Sequence, residues 1–583
     1  MLAALALAAP ANPLQAIADK HAALFNVSLS MAARLSSGEV IAGAAGLDDH
    51  AVGSKVTTAS LYPSGSVTKT FTAVAAMRLV DQGKLELDKP FHAIVDPWLK
   101  AQGNKTLVEM WGDKTIETVT VRHLLSMRSG IRDYNDEATR EWTIKHPTED
   151  LLPSEYVASV DKRFLFKPDH GGAYTGVGYV LLGWVLCAST PGCHTWADLD
   201  QKAMATPSGE NELLRTTQFM KAGPCSKYPG VVHQYLFAPG SQLSWSSEDE
   251  VMATDETAVE GEVVPPARGD KSARHAAELR YSSSASHGAH GGMGSNHESK
   301  GHMAAPLPHH CTNPSKTGQS KNWYDHVKIT GPTLGNVTIP SGGAASCCAH
   351  ADTVARAALW TFAPSGLSGA GTCHFYPYVQ GVKGSFSLSA TSGRVDALLR
   401  PSDFIDLYSD SCLNGWTMGN IAPPPREIVE WYGALFSGEL VSSAAIKQMT
   451  TFQKLTTGFE PGLPYGFGLM AGEIAAPLKD VKTCGQLPAC KCSGTRGCYF
   501  SSPTVGHAGL DYGSGMPIIG FMTALNVSYA LASNTGESPM GMNFSKGQLE
   551  NSKFFYSISC EFLDVVVHAQ LPTYPAFKCG DSA

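Results

Sequence analysis

The chain has 583 residues, 43% of them hydrophobic and 16% charged, with a formal net charge of −8 and a pI near 6.2. That is more chain than one ordinary core needs, so two or three structural units are expected. The mild negative charge offers no basic surface for a nucleic acid and no polybasic patch for a membrane.

The chain opens on MLAALALAAPANP, an apolar run ending in small residues. Residues 1–13 therefore resemble a signal segment with an A-x-A-like exit near Ala9–Ala11, although no basic stretch precedes them. No other uncharged apolar run approaches the roughly 18–20 residues of a membrane span, so none is expected. The 14 cysteines are not spaced as a zinc site. Cys484, Cys490, Cys492 and Cys498 crowd the loop CGQLPACKCSGTRGC with no partner pair of His or Cys, so disulfides in an oxidising compartment are expected instead of a metal. Sequons at Asn26, Asn104, Asn336, Asn526 and Asn543 point the same way. Together these features predict a secreted or secretory-pathway protein.

Residues 25–47 hold two strand-like runs around Ser36-Ser37-Gly38, a hairpin signal. In YPSGSVTKTFTAVAAMRLVDQGKLELDKP (62–90), Pro63 and Ser64-Gly65 break the chain. From Ser66, the residues Val67, Phe71, Val74, Met77 and Val80 are apolar and Thr or Ala fills most of the rest. Such a helix is apolar nearly all round and should be buried, with Gly83 just past its end. VTVRHLLSMRSGI (119–131) predicts a short helix ending at Gly130, and VGYVLLGWVLCA (177–188) another apolar helix. After about Ser247 the composition changes. Residues 248–324 include a Ser/Gly/His tract with His287, His290, His297 and His302 and almost nothing to bury, which reads as a solvated linker. Residues 325–396 carry Cys347-Cys348, LWTFAP and GTCHF, and resemble a PAN/Apple-type cysteine module; the alternative is an irregular insertion closed by a disulfide such as Cys347 or Cys348 to Cys373. Globular pattern resumes near Asp403, with two helices around Gly438, strands at 465–470 and 506–535, and a long amphipathic helix over 552–571.

Ser66 and Lys69 are three apart at the start of the apolar helix, so their side chains share one face. A serine hydroxyl is a poor nucleophile at neutral pH, but a desolvated lysine loses proton affinity and can act as its base. Oγ at a helix entrance also sits near exposed N–H groups and the positive end of the dipole. S-x-x-K alone also fits an N-cap serine and a surface lysine. The apolar surround of this helix argues against that, because a buried lysine without a task is costly.

With VTVRHLLSMRSGIRDY following, this stretch resembles the serine β-lactamase/penicillin-binding-protein-like superfamily, in the branch of class C β-lactamases, D-Ala-D-Ala carboxypeptidases and family VIII esterases. The resemblance covers 14–236 and 403–575. It implies an α/β (α+β) fold, with an antiparallel sheet flanked by helices, a helical subdomain and a large insertion. In AYTGVGYVLLGWVL it matches Tyr174 to the family tyrosine that assists proton transfer, Thr175 to the serine, and Gly176 to the asparagine that contacts the substrate amide. Trp245 in PGSQLSWSS is a poorer match, because an indole cannot exchange that proton. His507-Ala508-Gly509 matches the H-x-G variant of the third motif, with His507 supplying polarity beside the serine and Gly509 letting substrate lie on the strand. The oxyanion donors implied are the N–H groups of Ser66 and Leu510, each worth about 10²–10³ in rate. No metal or organic cofactor is implied.

The expected function is a secreted serine hydrolase that cleaves a small ester or amide through an acyl-enzyme on Ser66. Gly176 tilts the expectation away from β-lactams. A second reading keeps the fold without catalysis and lets the insertion bind a protein or carbohydrate. A third has an active hydrolase use the insertion to reach a polymer surface.

Overall fold

A computed structural model describes residues 12–25, 27–135, 138–139, 142–143, 146–207, 213–237, 323–325, 327–330, 335–339, 343–351, 359–364, 370–376, 381–384, 391–394, 404–458, 460–494, 497–534 and 553–579. Residues 1–11, most of the 248–324 tract with its four histidines, Trp245, Asn26 and Asn543 lie outside them.

The first helix, α1 (Pro13–Phe25), has no counterpart in the sequence reading. Asn12 opens it: its Oδ1 accepts from the Leu14 N–H and its Nδ2 donates to the Ala42 carbonyl. Leu14, Ile17, Ala18 and Ala22 then line one buried side. The predicted hairpin follows as β1 (Leu29–Arg34) and β2 (Val40–Ala45), paired from Leu29↔Ala45 to Arg34↔Val40.

The apolar helix is α2 (Thr68–Asp81), buried at Thr68 through Met77 and at Leu79. Next come α3 (His92–Ala101), the short helix Val121–Leu125, and α4 (Gly176–Ala188), whose residues are buried from Gly176 to Cys187. Later in the chain lie α5 (Pro425–Ser437) and α6 (Ser443–Met449), separated at Gly438 as predicted. The predicted strand at 465–470 is instead two, Pro464–Tyr465 and Met470–Pro477, because Gly468 turns the chain between them.

One antiparallel sheet gathers both ends of the chain. Its strands are β3 (Gln453–Lys454), β4 (Pro464–Tyr465), β5 (Met470–Pro477), β6 (Gly497–Gly506), β7 (Gly509–Leu510), β8 (Gly515–Met522) and β9 (Val527–Ser533), with β1 and β2. The order is β3-β4-β5-β6-β8-β9-β1-β2; β7 pairs with β8, and Cys490–Ser493 flanks β6. Alternation along the central strands separates two cores. Leu29, Met31, Ala33, Val527, Tyr529 and Leu531 pack with α1 and the C-terminal helix α7 (Lys553–Gln570). Ala32, Ala530 and Ala532 face the other way, into a core shared with α2, α4 and α5. The fold is the expected β-lactamase type, an antiparallel sheet flanked by helices with a helical subdomain.

The large insertion leaves and returns through a narrow stem. Tyr235–Phe237 pairs with Phe404–Asp406, and Cys225 bonds to Cys412 across a sequence separation of 187. Within 323–394, a five-stranded antiparallel sheet and the helix Gly343–Ala351 share a small core, and Cys347, not Cys348, bridges to Cys373. The crowded cysteines pair as disulfides, Cys484–Cys490 and Cys492–Cys498, which takes the sulfurs out of metal chemistry.

Candidate active site

Ser66 sits in the turn before α2. The N–H groups of Val67, Thr68 and Lys69 bond to the carbonyls of Ser64, Gly65 and Ser66, three residues back, so a tight turn feeds the helix. Two glycines let the sheet press against this turn. Gly65 has φ +47°, and a Cβ there would lie 2.0 Å from the Leu510 carbonyl oxygen. A Cβ on Gly509 would lie 2.0 Å from the Ser64 carbonyl oxygen and 2.8 Å from the Ser66 nitrogen. No side chain fits at either position, so β7 runs backbone to backbone along the serine turn. The Leu510 side chain points outward, 49% exposed, while its backbone stays at the turn.

Lys69 is 2% exposed, in the first turn of α2 and three residues past Ser66. Its Nζ donates to Ser66 Oγ at 2.8 Å and to the Met418 carbonyl at 3.0 Å. Burial pushes its pKa down to about 7, against an opposing pull from the Asp133 carboxylate. Tyr174 arrives from the residues just before α4, and its hydroxyl donates to Ser66 Oγ at 2.8 Å. Burial drives that phenol well above its ordinary value, so it keeps its proton. Lys69 Nζ lies 4.9 Å from the Tyr174 ring centroid. The structure thus brings Ser66, Lys69 and Tyr174 together on one oxygen atom.

His507 is fully buried, and its polar atoms are not turned to the serine as the sequence reading expected. Nδ1 bonds to the Ala508 carbonyl at 2.7 Å, and a carbonyl can only accept, so Nδ1 carries the proton. Nε2 therefore accepts from the Tyr465 hydroxyl, 3.0 Å away. Burial and the nearby Lys69 charge lower its pKa to about 3, so the ring is neutral. Its influence on Ser66 passes through packing: Tyr465 meets the Tyr174 ring edge-on at 5.9 Å.

Three contributors escaped the sequence reading. Tyr465 is one. The Met418 carbonyl is another, on a one-turn segment, Trp416–Met418, that wedges between α2 and α4 only a few residues beyond the insertion stem. The third is Asp133. Its Oδ1 accepts from the N–H groups of Gly176 at 2.8 Å, Tyr134 at 3.0 Å and Val177 at 3.2 Å, at the N-terminus of α4. It lies in SGIRDY, a stretch whose fit to the family drew attention to the segment but to no role for this residue. Nothing in a single sequence joins residues 133, 418 and 465 to residue 66.

Residues 26–297 match the model of the Beta-lactamase family. Over 172 residues, 29% of this chain, the sequence is 30% identical to Penicillin-binding protein 4 of Amycolatopsis lactamdurans, covering 40% of that protein. Over 160 residues, 27% of this chain, it is 29% identical to Penicillin-binding protein 4* of Bacillus subtilis (strain 168), covering 30% of it. The matches thus span well under half of these curated relatives. Among solved structures, a D-amino acid amidase from Ochrobactrum anthropi SV3 aligns at 16% identity and TM-score 0.47, over 96% of this chain and 99% of that one. A penicillin binding protein from Bacillus halodurans aligns at 12% identity and TM-score 0.45, over 89% and 95%.

Proposed function

We propose, for a chain that belongs to the serine β-lactamase/penicillin-binding-protein-like superfamily, that it is a serine hydrolase acting on small esters or amides through an acyl-enzyme on Ser66. The observation that carries this reading is the double hydrogen bond to Ser66 Oγ, 2.8 Å from both Lys69 Nζ and the Tyr174 hydroxyl. With its pKa near 7, Lys69 is about half neutral at physiological pH and accepts the Ser66 proton as Oγ attacks the carbonyl carbon. Tyr174 gives its proton to the departing oxygen or nitrogen as the carbon–heteroatom bond breaks and regains one from the Lys69 ammonium, so both groups end acylation as they began it. Water then cleaves the acyl-serine ester by the same groups in reverse. The N–H groups of Ser66 and Leu510 hold the oxyanion, and the glycine contacts that seat β7 on the serine turn support that assignment.

Gly176 carries no side chain toward substrate, which favours esters and simple amides over β-lactams. Export to an oxidising compartment is part of the proposal. The bridges Cys187–Cys193, Cys225–Cys412, Cys347–Cys373, Cys484–Cys490, Cys492–Cys498 and Cys560–Cys579 support it.

Intact-mass spectrometry after incubation with a fluorophosphonate, and separately with a penicillin, tests the reading. Wild type should gain one phosphonyl adduct that Ser66→Ala lacks, and little penicilloyl adduct. A folded wild-type sample that takes up neither reagent would overturn it in favour of a non-catalytic binding protein.

A further inference from the structure

The position that the family fills with asparagine is Gly176 here, and the space beside it is not empty. A Cβ on Gly176 would lie 2.5 Å from Met418 Sδ, 3.1 Å from Tyr134 Cε1 and 3.4 Å from Asp133 Oδ1. At the first two distances Met418 would have to move and Tyr134 to give way before α4 could carry a side chain here. The third puts a carboxylate oxygen in van der Waals contact with the point where that side chain would begin. Met418 also gives Lys69 its carbonyl acceptor, so the residue that fills the space at 176 also faces the lysine.

We infer that Asp133 is a positioning residue of the Ser66 centre: it borders the space that a side chain at 176 would take, pins the start of α4, and sets the charge that Lys69 faces. This inference rests on the hydrolase reading for its kinetic consequences, but not for its electrostatic one. The carboxylate is buried and accepts three backbone N–H groups, from Tyr134, Gly176 and Val177. Those bonds fix the residues that immediately follow Tyr174, and so fix the approach of its hydroxyl to Ser66.

The surroundings of Lys69 show why one carboxylate matters. From α4 and the residues before it, Lys69 meets the Tyr174 and Tyr179 rings, with Nζ 4.9 and 5.8 Å from their centroids. Both phenols are held protonated by burial. From the sheet side, His507 is neutral and Tyr465 keeps its proton. Beside Asp133, the Arg132 guanidinium is engaged elsewhere, donating to the Arg163 carbonyl and facing Asp161. Among the described residues, the Asp133 carboxylate raises the proton affinity of Lys69; burial raises the pKa of Asp133, and the Lys69 charge pulls it back down. An asparagine at 176 would be neutral. An aspartate at 133 favours the ammonium form of Lys69 and so moves the onset of the base upward in pH.

The substitution that isolates this effect is Asp133→Asn, which keeps the shape and an oxygen for the three N–H groups while removing the charge. The direct readout is the titration of Lys69, followed by NMR of the full chain labelled with 13Cε-lysine and assigned through Lys69→Met. The Lys69 midpoint should fall by about 1 pH unit in Asp133→Asn, the lower end of the range for loss of a nearby opposite charge. An unchanged midpoint overturns the inference. The kinetic readout is the pH dependence of Ser66 phosphonylation. Its acid limb should move down by the same amount, with the plateau rate kept within about threefold. A collapse of the plateau with no movement of the limb would make Asp133 merely structural and also overturn the inference. Should Ser66 take no label in either protein while the NMR midpoint still falls, the hydrolase reading fails and the electrostatic assignment of Asp133 stands.

Discussion

The serine centre and the stem of the insertion adjoin through one short stretch of chain, yet their bonds serve different tasks. Around Ser66 almost every atom is fixed by another: two glycines admit the backbone of β7, Lys69 is bonded at both ends of its reach, and Tyr174 is held by α4 and Tyr465. The stem is tied between two chain segments by a three-residue ladder, by backbone bonds such as Leu407 N–H to the Gln234 carbonyl and Cys412 N–H to the Gly223 carbonyl, by the His233–Asp406 contact at 2.7 Å and by one disulfide between residues 225 and 412. A site that must hold three polar groups on one oxygen needs many constraints. A stem needs only to keep two chain ends together, and one long-range covalent link does so by limiting the unfolded chain. The two regions meet at Trp416–Met418, which leaves the stem and delivers the Met418 carbonyl to Lys69.

That comparison can be broken at several points. Ser66→Ala should have the largest effect, lowering ester turnover by about 10⁴-fold or more with the fold intact, as measured by steady-state kinetics and circular dichroism. Tyr174→Phe should cost about 10²–10³ in acylation rate, as removal of a proton-transfer group does. Lys69→Met should abolish the acylation limb near pH 7 while raising the melting temperature, because a cation leaves an apolar cage. The sign is fixed by its depressed pKa. Below about 7 both folded and unfolded lysine are protonated and the folded state carries the full burial cost. The stability gap between Lys69→Met and wild type should therefore be widest at pH 6 and narrow toward pH 10. A gap that grows with pH would contradict the burial argument.

At the stem, the paired change Cys225→Ser with Cys412→Ser should lower stability by about 3 kcal/mol in denaturant unfolding. Acylation by a fluorophosphonate under native conditions should change far less. Equal losses in both would mean that the stem is part of the site's own scaffold. The smallest effect expected is on replacing 248–400 with a short Gly/Ser linker: turnover of a small ester should stay within about threefold. Binding to a polymeric substrate, if the insertion serves one, should weaken.

Legibility follows the same division. Ser66 and Lys69 could be picked out from their spacing on an apolar helix, whereas Tyr174 and Gly509 were marked by the resemblance of their segments to the family motifs. The hairpin at 29–45 and the helices around Gly438 were legible from local pattern. Asp133, Met418 and Tyr465 were not, because their roles depend on the packing of segments up to several hundred residues apart. His507 was identified as a residue, but not its bonding partners. Its tautomer and its turn toward Tyr465 follow from bonds to Ala508 and Tyr465 that strand sequence alone does not encode. The helix α1 was missed because its apolar stripe, Leu14, Ile17, Ala18 and Ala22, directly follows an apolar run that drew a different interpretation.

The central claim is that a buried Lys69, neutral near pH 7, activates Ser66. Its most direct test is the rate of phosphonyl-adduct formation at Ser66 from pH 5 to pH 9, followed by intact mass in wild type and Ser66→Ala. A single adduct, absent from Ser66→Ala, should form faster as pH rises through a midpoint near 7. A rate indifferent to pH across that range, or an adduct that persists in Ser66→Ala, would contradict the account.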